Sequence, residues 1–225
     1  MEKYLQVKEN IIVTIDGPAG AGKSTIAKIV AEKLGLTYID TGAMYRAVTY
    51  KTIKNGVDFS NTVGIIELAL KSEMRFEKEK LILDGEDVSD KIRSRNVTNR
   101  TSIIAAIPEV RKCLRDMQRN FSKKQGVVME GRDIGTVVFP GAPFKFYLDA
   151  SVGERARRRY AELREKGTDV EMDEIASDIR KRDALDQNRG LCPLKIPEGA
   201  CVIDSTKKTI KEVAEIIVKS IKVKK

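Results

Sequence analysis

The chain has 225 residues, a net charge of +9, 41% hydrophobic and 33% charged residues, proportions that suit one globular α/β core with smaller lobes. No apolar run nears the ~20 residues of a membrane span, and the polar start MEKYLQVKEN carries no signal-peptide core, so a cytoplasmic, membrane-free protein is expected. The absence of histidine excludes imidazole bases and ligands, and three scattered cysteines (Cys113, Cys192, Cys201) argue against a disulfide framework or a CxxC metal site.

In chain order, Ile11 to Ile15 has the apolar, β-branched character of a buried strand, ended by Asp16. Gly17-Pro18-Ala19-Gly20-Ala21-Gly22-Lys23-Ser24 then satisfies G-x-x-x-x-G-K-[ST] at every fixed position, with Thr25 following. Ile26, Ala27, Val30, Ala31 and Leu34 recur at helical spacing. A strand, a glycine loop and a helix form the setting of a phosphate cradle. Glycines let the backbone approach an anion, and the loop's N–H groups meet it at the positive helix end. Lys23 reaches the outer phosphates of an NTP, read here as ATP, and the Ser24 hydroxyl can ligate Mg²⁺. The motif does not say what receives the phosphate.

Gly35 stops the helix, and Leu36 to Ile39 reads as a second strand. After a polar turn, a helix starts near Thr41 and Gly42, with Ala47, Val48 and Ile53 on its apolar side and Gly56 at its end. Arg46, one turn in, suits either a second anion at this N-terminus or plain solvation, and the residues alone favour the second. From Asn61 to Ile107 the pattern changes. Glu73 to Glu77, Lys80 to Asp84 and Glu86 to Val88 suggest a small antiparallel sheet with one exposed face, in a lobe inserted into the core. Thr98 to Ile107 reads as a helix, and Pro108 opens an amphipathic one with Val110, Leu114, Met117 and Phe121 on its stripe.

Val127 to Met129 is a third buried strand, with Glu130-Gly131-Arg132-Asp133 just past its end, where open α/β sheets place ligands. Phe144 to Asp149 and Ala200 to Asp204 supply strands four and five. Thr209 to Val223 closes the fold, with Ile210, Val213, Ala214, Ile217 and Ile221 facing inward; the basic tail Lys219 to Lys225 reads as a solvated helix end. Between strands four and five, Glu154 can pair with Arg158, and Glu162 with Lys166. Arg155 and Arg159 find no partner at such spacing, which suits either a face visited by an anion or a solvated basic helix. Arg182, Asp186 and Arg189 share one helical face, as a salt-bridge ladder or as a ligand site.

The ordered set GPAGAGKST, DTGAMYR, EGRDIGTVVFP, LDAS, RRRY, RDALDQNR and VIDST resembles the bacterial cytidylate kinases, P-loop nucleoside monophosphate kinases, from about Ile11 to the last helix. The resemblance implies a P-loop NTPase-type parallel five-stranded sheet flanked by helices. Its core would lie at about 1–41, 109–152 and 190–225, the monophosphate-binding insertion at 42–108 and a short lid at 153–189. It also implies ATP-dependent phosphorylation of CMP or dCMP. Thr41 and Arg46 would lie at the acceptor site, Ser102, Arg111 and Asp133 would read cytosine, and Arg132 the CMP phosphate. Arg182 and Asp186 would hold the ribose, Arg189 the phosphate side, and Arg158 in the lid would reach the transferred group. The family often has Ser where this chain has Thr41; the hydroxyl is kept, and the added methyl bears on deoxy against ribo preference. A monomer acting on ATP and CMP or dCMP is expected, without nucleic acid. Two alternatives stay open: another small P-loop kinase, and a basic nucleic-acid-binding protein, against which the 5% aromatic content speaks.

Overall fold

A computed structural model describes residues 11–77, 79–123, 125–165, 167 and 169–223. The expected pairing of Glu162 with Lys166, and the tail beyond Val223, lie outside the described residues. Five strands, β1 (Ile12–Asp16), β2 (Thr37–Asp40), β6 (Val127–Gly131), β7 (Phe144–Asp149) and β8 (Cys201–Asp204), form one sheet in the order β2-β6-β1-β7-β8. Every pairing is parallel, and β1 sits at the centre with Val13 opposite Val128 on one side and Phe144 on the other. Burial on both faces explains the unbroken apolar run of β1. Val13, Ile15 and Val128 pack under α1 (Lys23–Leu34) and α8 (Ile210–Val223), while Val127 and Met129 point to the opposite face, with Ile39 and Ile134. On α1 the five spaced residues Ile26, Ala27, Val30, Ala31 and Leu34 are all buried.

Parallel strands bring all their C-terminal ends to one edge, and acids gather there. β1 ends in Asp16, β2 in Asp40, β7 in Asp149 and β8 in Asp204, and β6 carries Glu130 just before its last residue. The site is built along this edge.

Between β2 and β6 the chain leaves the sheet as α2 (Thr41–Lys54), α3 (Thr62–Leu70), the strands β3 (Met74–Glu77), β4 (Lys80–Leu83) and β5 (Glu86–Asp87), then α4 (Arg95–Ala106) and α5 (Pro108–Ser122). The three strands are the expected antiparallel sheet, with Met74 opposite Leu83 and Ile82 opposite Asp87. Pro108 takes the first turn of α5, as expected, since that position needs no N–H donor. α3 was not anticipated. Its sequence TVGIIELAL is apolar almost throughout, so helical periodicity is masked, and only Ile65 and Ala69 are buried.

Between β7 and β8, α6 (Val152–Glu165) and α7 (Met172–Gln187) pack through Ala156, Ile175 and Ile179. Two expectations fail locally. No polar turn separates β2 from α2, because Asp40 ends the strand and caps the helix, accepting from the Ala43 N–H at 2.8 Å. Ile210 is 49% exposed, while Val213, Ala214, Ile217 and Ile221 are buried as expected; it is the first residue of α8. Among the described residues no helix is long and apolar enough to cross a membrane.

Candidate active site

The loop from Gly17 to Gly22 joins β1 to α1 through positive φ angles at Gly17, Gly20 and Gly22. Gly17 is forced by contact as well as by φ, since a Cβ there would lie 2.0 Å from the Leu148 carbonyl oxygen. No side chain caps the first turn of α1. The helix start therefore presents free N–H groups and a positive dipole end, the arrangement an oligophosphate needs. Lys23 lies within this turn, is 5% exposed, and donates from Nζ to the Pro18 carbonyl at 2.7 Å. Burial pulls its pKa down, and Arg132 pulls it further. Ser24 is half-buried and Thr25 exposed at the same helix start.

Beside the loop lies a second cationic group. Arg132 leaves the end of β6 and donates to Asp186 on α7 at 2.8 Å, and Arg189 reaches the other oxygen of that carboxylate at 2.5 Å. Of the three residues on the expected helical face, Asp186 and Arg189 pair and Arg182 does not, and Arg189 lies past the end of α7. Asp186 is buried and held below the usual carboxylate range by the two arginines, against the pull of burial. Arg182, one turn earlier, is exposed. Desolvation by neighbouring groups and then the field of Arg132 lower its pKa to about 10, and no carboxylate lies within ion-pair distance of it among the described residues. Arg132 and Arg182 both act on Lys23, with Asp16, Glu130 and Asp186 as the acids around them, and Arg182 alone of the three lacks an ion-pair or hydrogen-bond partner among the described residues. An anion would offset such gathered positive charge.

The third group is a buried ion pair. Arg111 of α5 donates to Asp133, and its guanidinium lies 5.4 Å from the centre of the Tyr45 ring. Arg111 and Asp133 are 6% and 7% exposed, so neither charge is compensated by water and each depends on the other. Arg46 on α2 pairs with Asp40 at 2.8 Å, and the Thr41 hydroxyl donates to the Glu130 carbonyl at 2.8 Å. Ser102 is exposed on α4 and makes no described hydrogen bond. The structure therefore joins Arg132, Asp186 and Arg189 in one network and Arg111 with Asp133 in another, and leaves Ser102 outside both.

The expectation that Arg155 and Arg159 lack partners is wrong. Arg155 is 4% exposed, pairs with Asp183 of α7 at 2.7 Å and donates to the carbonyls of Ala150 and Ala19; Arg159 pairs with Glu162 at 2.7 Å. The partner of Arg155 comes from another helix, which spacing along one helix cannot reveal. Arg158 pairs with Glu154 as expected, at 2.8 Å, and also donates to the Ser205 carbonyl at 2.6 Å and the Ala21 carbonyl at 3.4 Å. Its guanidinium is thus docked against the glycine loop.

Three further groups belong to the site and carry weaker sequence signals. Glu130 is buried beneath the loop, accepts from the Tyr38 hydroxyl at 3.0 Å and faces the Ser24 hydroxyl, and burial raises its pKa. Asp40 supports both the α2 cap and Arg46. Asp16 is wholly buried at the end of β1. A carboxylate directly before a phosphate loop, after five apolar or β-branched residues, was the visible anomaly. Among the described residues no cluster of three or more acids, cysteines or histidines forms a self-sufficient metal site. Ser24 and Glu130 nevertheless offer oxygen donors at one point, and hard oxygen donors suit Mg²⁺, which keeps several waters and shares its shell with phosphates.

Comparison with known proteins agrees with this geometry. The family model described as cytidylate kinase matches residues 13–223. The cytidylate kinase of Caldanaerobacter subterraneus subsp. tengcongensis is 51% identical over 210 residues, covering 93% of this chain and 94% of that protein. That of Alkaliphilus oremlandii is 50% identical over 214 residues, covering 95% and 99%. A gluconokinase structure from Sinorhizobium meliloti superimposes with a TM-score of 0.50 at 13% identity, covering 95% of this chain and 92% of that one, a likeness of fold alone. On a family match spanning nearly the whole chain, and relatives half identical over more than nine-tenths of it, the chain belongs to the cytidylate kinase family.

Proposed function

We propose that the protein transfers the γ-phosphoryl group of ATP to CMP or dCMP, giving ADP and CDP or dCDP. The observation that carries this reading is the convergence of Lys23, Arg132 and Arg182 between an uncapped phosphate loop and the Arg111–Asp133 pair. One cationic floor then serves two phosphates, and one carboxylate stands where a base would be read.

The acceptor phosphate is already an anion, so the reaction needs no strong general base. Its difficulty is bringing two mutually repelling phosphates into line, and positioned cations address that by offsetting charge and fixing geometry. In this reading residues 17–25 hold the ATP phosphates through backbone N–H groups, with Lys23 at the outer ones. Ser24 would hold Mg²⁺ with Glu130 close by, and the ion would offset charge on the ATP phosphates. Arg132, supported by Asp186, takes the CMP phosphate together with Arg46 and Arg189. Arg182 and Asp186 lie on the ribose side. Asp133, oriented by Arg111, accepts from the exocyclic amine of cytosine; uracil carries a carbonyl there and would leave the buried carboxylate facing another acceptor. Ser102 joins the base site if α4 shifts toward it. Arg158, docked on the loop through Ala21, turns toward the transferred phosphoryl group.

Residues 42–108 act as the monophosphate-binding insertion and 153–189 as the lid, whose closure over the loop excludes water. The protein works in the cytoplasm as a monomer and needs no nucleic acid. A coupled ADP-release assay across CMP, dCMP, UMP, AMP, GMP and shikimate tests the reading. CMP and dCMP should be the preferred acceptors, and preferred turnover of any other overturns it.

A further inference from the structure

Asp16 is wholly buried, yet the described hydrogen bonds of its carboxylate go away from the phosphate loop that begins at the next residue. One oxygen accepts from the Ile134 N–H at 2.8 Å and the other from the Gly135 N–H at 2.7 Å. These are the first two residues of a π-helical turn, Ile134–Val138, whose opening N–H groups have no other side-chain cap. The Asp133 carbonyl closes the same turn by accepting from Val137 at 2.9 Å and Val138 at 3.2 Å. The turn thus begins directly after Arg132 and Asp133, and a central strand grips it at its first two amides.

The other end of the grip is equally fixed. Gly17 is held against the Leu148 carbonyl, so the end of β1 cannot shift along β7. Gly135 is seated closely too, since a Cβ there would lie 2.8 Å from Pro197 and 3.0 Å from the Thr14 hydroxyl. The bidentate contact therefore ties the entry of the phosphate loop to the segment that carries Arg132 and Asp133.

We propose that Asp16 is a positioning residue for the acceptor half of the site: its carboxylate, bridging the Ile134 and Gly135 amides, sets where Arg132 and Asp133 point and holds them in register with the phosphate loop. The inference rests on the acceptor reading given above. Each N–H meets its own carboxylate oxygen, and an amide in its place would set an NH₂ donor against one of them. Burial raises the Asp16 pKa to about 7, opposed by the two amides and Lys23 and reinforced by Asp133; Tyr147 of β7 faces it as well. The group is costly where it stands, and a purely apolar core would not place it there.

The test is Asp16→Asn, which keeps shape and one acceptor, against Thr14→Val as a matched change at a fully buried hydroxyl without a partner on the same strand. For D16N we expect KM for CMP to rise about tenfold, the CMP-over-UMP preference to fall about tenfold and KM for ATP to stay within about twofold. T14V should leave all three near wild type. An unchanged preference in D16N, an equal rise in both KM values, or the same losses in T14V overturns the proposal. If D16N does not fold, Gly135→Ala displaces the turn instead and should show the same selective CMP defect; a normal preference in that variant overturns the proposal too. The bonds are also readable in the wild-type protein, where the Ile134 and Gly135 amide protons should exchange slowly, and fast exchange at both overturns it. If wild type itself shows no preference for CMP or dCMP over UMP, the acceptor reading falls and the role of Asp16 with it; if it does and D16N matches it, only Asp16 is at fault.

Discussion

The loop from Gly17 to Thr25 offers its binding groups from one contiguous stretch. The proposed acceptor half draws Arg46 from α2, Arg111 from α5, Arg132 and Asp133 from just past β6, and Arg182 and Asp186 from α7. In that reading the first would bind through backbone N–H groups whose directions follow from three positive φ angles. The second would bind through side chains held by one another, Arg132 on Asp186, Arg189 on Asp186 and Arg111 on Asp133. A backbone cradle keeps its fold through changes at its non-glycine side chains, Lys23 included, because those side chains do not shape it. A side-chain network does not, because each member is also the counter-charge of another, and removing one strands its partner.

Four measurements press on that difference. Lys23→Ala should lower kcat by about 10²–10³-fold, while the thermal midpoint holds, since the buried ammonium has a single described partner, the Pro18 carbonyl. A large fall in the midpoint would mean that the loop, too, depends on side chains. Asp133→Asn should do the reverse of sparing the fold. It leaves Arg111 buried without its charge partner and should cost about 3 kcal/mol of stability in urea titration, together with most of the preference for CMP over UMP.

Arg132→Met should reduce kcat/KM for CMP about a hundredfold and leave KM for ATP unchanged, since Asp186 retains Arg189. Equal losses for both substrates would erase the division between the two halves. The smallest effect is electrostatic. The folded-state pKa of Asp16, about 7 against an ordinary 3.8, means that the native protein binds this proton more tightly than the unfolded chain. The associated stability is whole below about pH 4 and is lost as pH rises through about 7. The unfolding free energy of wild type relative to D16N, from urea titration, should therefore fall between pH 5 and pH 8, by about 2 kcal/mol; a rise would mean that the two amides outweigh burial.

The comparison also explains what could be read early. The strand, loop and first helix were legible because each declares itself locally, through β-branched composition, glycine spacing and a buried stripe at intervals of three and four. The antiparallel strands were legible through alternation, whereas α3 was hidden by its nearly uniform apolar sequence. Arg155 shows the limit most directly. Along its own helix it has no counter-charge at a pairing distance, and the chain places Asp183 beside it from α7. Ile210 shows it at the surface, where the first residue of a helix is exposed although it is in phase with a buried stripe.

Local sequence is enough to place a phosphate loop between a buried strand and a helix, to exclude any imidazole, and to set several arginine-bearing segments in the order of one kinase family. Those are properties of neighbouring residues, and short-range sterics and periodicity suffice to express them. The folded chain alone shows which arginines are paired with a carboxylate and that Arg182 has no such partner among the described residues. It also decided that Arg111 belongs to Asp133, and that Asp16 reaches past its own loop to the start of the next. Ion pairs and buried hydrogen bonds join residues that the parallel sheet brings to one edge from far apart in the chain, and charge balance at that edge is a property of the fold.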